Sequence, residues 1–110
     1  MENEKIQQIQ FLEQNIQGIL MQKQSFQMEM NETISALKEI EKSKEDVYKV
    51  IGQIMIKLPR EKIVEDLKNK EKILKVRIES LENQENSLNK QLNEIKEEVL
   101  SSINKKEKSL

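Results

Sequence analysis

Apolar residues recur at alternating steps of three and four along most of this chain, and that spacing restricts it to paired helices. Counting from Ile9 gives Ile9, Leu12, Ile16, Ile19, Lys23, Phe26, Met30, Thr33, Leu37 and Ile40, of which eight of ten are apolar. Steps of three and four average close to one helical turn, so these residues line one stripe of a helix. From Val64 the same count gives Val64, Leu67, Glu71, Leu74, Ile78, Leu81, Glu85, Leu88, Leu92, Ile95 and Val99, with Leu or Ile at 67, 74, 81, 88 and 95. A stripe of this kind is not left in water, so each arm needs a partner. The connection between the arms is short, which makes them antiparallel neighbours. Each arm of about 40 residues spans roughly 60 Å at 1.5 Å per residue. Lys23, Glu71 and Glu85 interrupt the stripes. Charges at such positions weaken the seam and fix its register, and they read as snorkelling surface groups rather than as ligands for anything.

Composition agrees with long helices. Of 110 residues 35% are charged and 35% hydrophobic, with two Gly and one Pro, which excludes a loop-rich fold with a thick core. The regular apolar spacing argues against disorder, which high charge and few aromatics would otherwise suggest. Eight glutamines lie between Gln7 and Gln27, but the heptad spacing among them marks a solvated helix face rather than a low-complexity tract. Gly18 interrupts the first arm at a cost of about 1 kcal/mol relative to Ala.

Between the arms the pattern changes. "VYKVIGQIMIKL", residues 47–58, holds Val, Ile, Leu, Met or Tyr at eight of twelve positions and is followed by Pro59. Two β-branched runs separated by Gly-Gln predict a β-hairpin with a two-residue type II′ turn, Gly first. That register pairs Ile51 with Ile54. It puts Val47, Lys49, Ile51, Ile54, Ile56 and Leu58 on one face and Tyr48, Val50, Met55 and Lys57 on the other. A lone hairpin is marginal in water and leaves two edges unpaired. Nothing else in the chain is available to pair with it, so Val47, Tyr48, Val50, Ile51, Ile54, Met55, Ile56 and Leu58 are expected to join sheet supplied by other chains. The expected boundaries are a single domain over 1–110, with helix 2–45, β-hairpin 47–58 and helix 60–106. Pro59 suits the first turn of the second helix, where its missing N–H does no harm.

Helix, β-hairpin and helix in this order resemble the prefoldin family, and its β-type subunit in particular. The residues that carry the resemblance are Tyr48, Lys49 and Gly52 in the hairpin, Lys57 at its end, and Arg77, Ile78, Leu81, Gln84 and Glu85 in the second helix. Gln22, Lys23, Gln24 and the run Ala36, Leu37 to Glu39 add to it from the first helix. One hairpin rather than two selects the β-type, in an archaeal-like form. Leu58-Pro59 departs from the pattern, since a hydroxyl cap is usual there. The resemblance implies a hetero-hexamer of two α-type and four β-type subunits, with the hairpins joined in an intermolecular β-barrel and the coiled coils projecting from it. It also implies an ATP-independent chaperone that holds non-native client proteins at the coiled-coil tips and delivers them to a group II chaperonin in the cytoplasm.

An antiparallel hairpin brings its two termini together at the tip, so the candidates for client contact are Ile6, Ile9, Phe11, Leu12, Val99, Leu100, Ile103 and Leu110. Ile9, Leu12 and Val99 belong to the seam and serve the coiled coil first; Phe11, Leu100 and Ile103 fall off it. Weak apolar contact suits a holdase because burial is non-directional.

Other functions lack their residues. The chain has no Cys and no His, so thiol and imidazole chemistry, disulfides and the commonest metal ligands are not expected, and neither catalysis nor a cofactor is. Its two glycines stand 34 residues apart and form no phosphate-cradling loop. Net charge is −1, with no basic excess for nucleic acid or for an anionic membrane. No apolar run is long enough for a bilayer and the first residues lack a signal-peptide pattern. The rival reading is a coiled-coil tether or scaffold, which would be a dimer in solution rather than a higher oligomer needing a second subunit type.

Overall fold

The computed structural model describes residues 2–43 and 46–108, with side chains for residues 3–43 and 46–105. Four elements follow one another: helix α1 (Glu2–Lys42), strands β1 (Val47–Ile51) and β2 (Ile54–Leu58), and helix α2 (Arg60–Lys108). The expected end of the first helix, residue 45, lies outside the described residues. The chain divides into two compact units, one of Met1–Gln24 with Glu79–Leu110 and one of Ser25–Ile78.

In the first unit the early part of α1 packs antiparallel against the later part of α2. Leu12, Ile16 and Leu92 form its buried core, and Ile9, Leu20, Leu88 and Ile95 pack around them. Ion pairs fix the direction of pairing: Lys5 with Glu98 at 3.5 Å, Glu13 with Lys96 at 3.6 Å, and Lys23 with Glu85 at 3.3 Å. The outer two are largely exposed and contribute little. The Lys23–Glu85 pair is different, because both side chains are mostly covered by the seam around them. Lys23 also reaches Glu82, at 3.7 Å.

In the second unit Leu37 and Leu74 are buried, Leu74 almost completely at 2% exposure. Among the described residues Thr33 is the buried polar residue of this seam, almost as deeply covered at 3%. Its hydroxyl donates to the Glu29 carbonyl one turn back, at 2.8 Å, so the seam accepts it without leaving a buried polar group unsatisfied. Arg77 lies over the Phe26 ring, 5.7 Å from its centre, a cation–π contact that covers the seam's edge. Lys70 and Glu29 pair at 3.2 Å.

The ends of the two helices are finished by different devices. At the C-terminus of α1, Ser43 donates its N–H to the Glu39 carbonyl at 2.9 Å. The Arg60 guanidinium donates to the Ile40 carbonyl, so a cation from α2 satisfies one of the last carbonyls of α1. Pro59 stands one residue before α2, as its cap. Its carbonyl accepts from Lys62 and Ile63, at 3.1 and 3.3 Å. Glu61 lies in the first turn, where negative charge suits the dipole. One turn further, Asp66 accepts a hydrogen bond from Lys62 and raises the pKa of that exposed ammonium.

Candidate functional site: an exposed apolar hairpin and an apolar fringe

β1 and β2 form a two-stranded antiparallel sheet with Val47 opposite Leu58, Lys49 opposite Ile56 and Ile51 opposite Ile54. Gly52 has φ of 60°, and among the described residues no non-glycine has a positive φ. Positive φ at the first central position alone is the signature of a type II′ turn, whose twist matches the strands it joins. The Gly-Gln turn therefore fixes the register, and with it the two faces.

Those faces lie open. Tyr48, Val50, Ile51, Ile54, Met55 and Ile56 are all exposed, Met55 by 68%, and only Val47 and Leu58 at the strand ends are half-buried. Both strands are edges, with a row of backbone donors and acceptors on each outer side. A surface of this kind offers apolar area on two faces and hydrogen bonds along two edges.

The model of the prefoldin subunit family matches residues 3–106. The chain belongs to the prefoldin subunit family. Its relatives include the prefoldin beta subunits of Thermococcus onnurineus, 37% identical over 87% of this chain and 84% of that one, and of Methanosarcina acetivorans, 32% identical over 93% and 89%. Among solved structures, the crystal structure of the prefoldin beta subunit from Thermococcus strain KS-1 matches with a TM-score of 0.85 and 36% identity, covering 92% of this chain and 90% of that one. The beta2 subunit from the same strain shares the fold, with a TM-score of 0.71 at 22% identity over 78% and 94%. This prefoldin-family chain is thus a chaperone subunit that assembles with other prefoldin subunits. Its exposed hairpin is the part that enters the intermolecular β-barrel.

The prefoldin chain carries a second group of exposed apolar side chains in the unit that lacks the hairpin. Phe11 is 64% and Leu100 61% exposed, and Ile6 and Ile103 also face solvent. Ile9 and Val99 are half-buried, and Leu12 is in the core with Ile16 and Leu92. Leu110 lies outside the described residues. The eight residues singled out from the sequence therefore divide. Four form an exposed fringe, two are shared with the seam, and one is used up by it. Four further exposed residues, Met21, Met28, Ile73 and Val76, carried no mark in the sequence reading, which followed the seam. Counting the heptads outward from the seam would have found Met21 and Met28, which repeat at seven residues on the far side of α1, whereas Ile73 and Val76 stand only three apart in α2. Among the described residues no helix is long and apolar enough to cross a membrane.

Proposed function

We propose that this chain is an ATP-independent holdase subunit that binds non-native proteins through Ile6, Phe11, Leu100 and Ile103, with Ile9 and Val99 joining as the seam frays. The observation that carries this reading is the exposed apolar fringe in the unit remote in sequence from the hairpin. Unfolded chains share no sequence, so a receptor for many of them must work by burial of apolar area, which is non-directional. Four such side chains bind weakly in one subunit. Several subunits held in one assembly raise the effective concentration of the fringe, and avidity supplies what one site lacks. No step of this cycle breaks a bond, so neither catalysis nor nucleotide is needed.

In this proposal the assembly contains two α-type and four β-type subunits, this chain being a β-type one. It works in the cytoplasm and passes its clients to a group II chaperonin. The test separates holding from assembly. A chain lacking residues 1–10 and 100–110 and carrying Phe11→Ser keeps Leu12, Ile16 and Leu92, and keeps the whole hairpin. Mixed with an α-type subunit it enters the complex, and that complex fails to suppress aggregation of a chemically unfolded test protein. Full protection by the truncated complex would move client binding elsewhere on the arms. Replacing Ile54 and Ile56 by Lys has the opposite signature: helix content stays and the complex is lost.

A further inference from the structure

The hairpin carries two lysines whose surroundings differ. Lys57 belongs to the face with Tyr48, Val50 and Met55, and its ammonium lies 3.0 Å from the Asp46 carboxylate. Lys49 belongs to the other face, directly opposite Ile56 across the ladder and between Val47 and Ile51 along β1. Ile54 and Leu58 complete that face, so Lys49 is its one charged residue among five aliphatic ones. Among the described residues no carboxylate lies within ion-pair range of Lys49.

A subunit that covers this face in the intermolecular barrel takes the Lys49 ammonium out of water along with the aliphatics. An ammonium buried without a counter-charge is among the most costly groups a protein can enclose. Among the described residues 46–58, a second copy of this chain has a single carboxylate to offer. That one, Asp46, already holds Lys57, and packing like faces together brings Lys49 toward Lys49. An inward charge on an otherwise apolar edge strand is also a known means of blocking self-pairing between sheets.

We propose that Lys49 selects the hairpin's partner: the face of Val47, Ile51, Ile54, Ile56 and Leu58 is covered by a different prefoldin subunit that places a carboxylate opposite Lys49. A second copy of this chain is turned away from the same face by like charge. The selection is independent of whether the apolar fringe holds clients.

Sedimentation velocity of the full-length chain at one fixed concentration tests this, using wild type, Lys49→Met, Lys49→Glu and an equimolar mixture of wild type with K49E. Lys49→Met keeps the length of the stem and removes the charge, so it should self-associate at least tenfold more tightly than wild type. The mixture should form mixed oligomers at least tenfold more tightly than either component forms its own. Circular dichroism at 222 nm should be the same for all variants, because Lys49 is exposed and touches neither helix seam. A K49M variant that associates no more tightly than wild type overturns the proposal. A mixture that sediments as the sum of its parts overturns it too.

Discussion

Replacing Lys23 and Glu85 together by Leu should make the coiled coil more stable, although it removes an ion pair between the helices. The nitrogen and oxygen stand 3.3 Å apart, with the two side chains only 22% and 19% exposed. At an effective dielectric of about 20 the gross attraction at that distance is about 5 kcal/mol. Taking each ion out of water costs several kcal/mol even after relaxation, so the net contribution of the pair lies near zero. Two leucines in the same places bury apolar surface instead. Full burial of one such side chain is worth about 1.5–3 kcal/mol. Allowing for incomplete burial and strain, the double variant gains about 1–3 kcal/mol. The single change Lys23→Leu leaves the Glu85 carboxylate mostly covered with no cation beside it, and should cost about 1–2 kcal/mol. For a chain of this size each kcal/mol moves the melting temperature by about 4 °C. Thermal unfolding followed at 222 nm reads both changes, at one protomer concentration because association itself shifts the midpoint. A double variant that melts below wild type would refute the argument, since the pair would then exceed in net worth the burial that replaced it.

Leu74→Ala should destabilise by about 2–5 kcal/mol, since the side chain is 2% exposed and its removal leaves a cavity; Phe11→Ser should change stability by less than about 0.5 kcal/mol, and urea unfolding compares them. Thr33→Val should be neutral or stabilising by up to about 1 kcal/mol, because the lost hydroxyl bonded only its own helix; the same urea titration reads it. The two glycines should respond in opposite directions, although an added Cβ meets nothing within 4 Å at either. Gly18→Ala, in mid-helix, should stabilise by about 1 kcal/mol, seen as a higher melting temperature. Gly52→Ala puts a side chain at φ of 60°. It should cost about 1 kcal/mol of hairpin stability and weaken assembly in sedimentation.

The helices and the hairpin were legible because their signals are local. Every seam position counted from Ile9 to Ile40 and from Val64 to Val99 is buried or half-buried, since period alone decides which side of a helix meets its neighbour. The pairing of Ile51 with Ile54 followed from Gly52 at the first turn position. Contacts between the helices were another matter. A heptad stripe looks the same after a slip of seven residues, so the sequence marked Lys23 and Glu85 as interruptions without showing that they meet. Thr33 was only one of two seam positions in the first arm that are not apolar, because its hydroxyl finds a partner only once the Glu29 carbonyl stands one turn behind it. The bond from Arg60 to Ile40 joins two helix ends whose approach depends on the hairpin between them. Pro59 read as a first-turn residue and stands one place earlier, where its carbonyl rather than its ring matters.

The contacts between α1 and α2 also set an order of events during folding. Arg60 and Ile40 are 20 residues apart in sequence and Lys23 and Glu85 are 62 apart, while Lys5 must find Glu98 across most of the chain. Closing the longest of these loops first would cost the most chain entropy. Once the hairpin has formed and Arg60 has met Ile40, each later pair closes only a few free residues, and the helices zip from the hairpin outward. The transition state therefore needs few distant contacts, and folding should be fast for so long a chain. Opening runs the other way. Its first stage releases the contacts of Lys5 and Ile9 while Leu74 stays closed, so hydrogen exchange should be fastest in the residues near Ile9 and Val99.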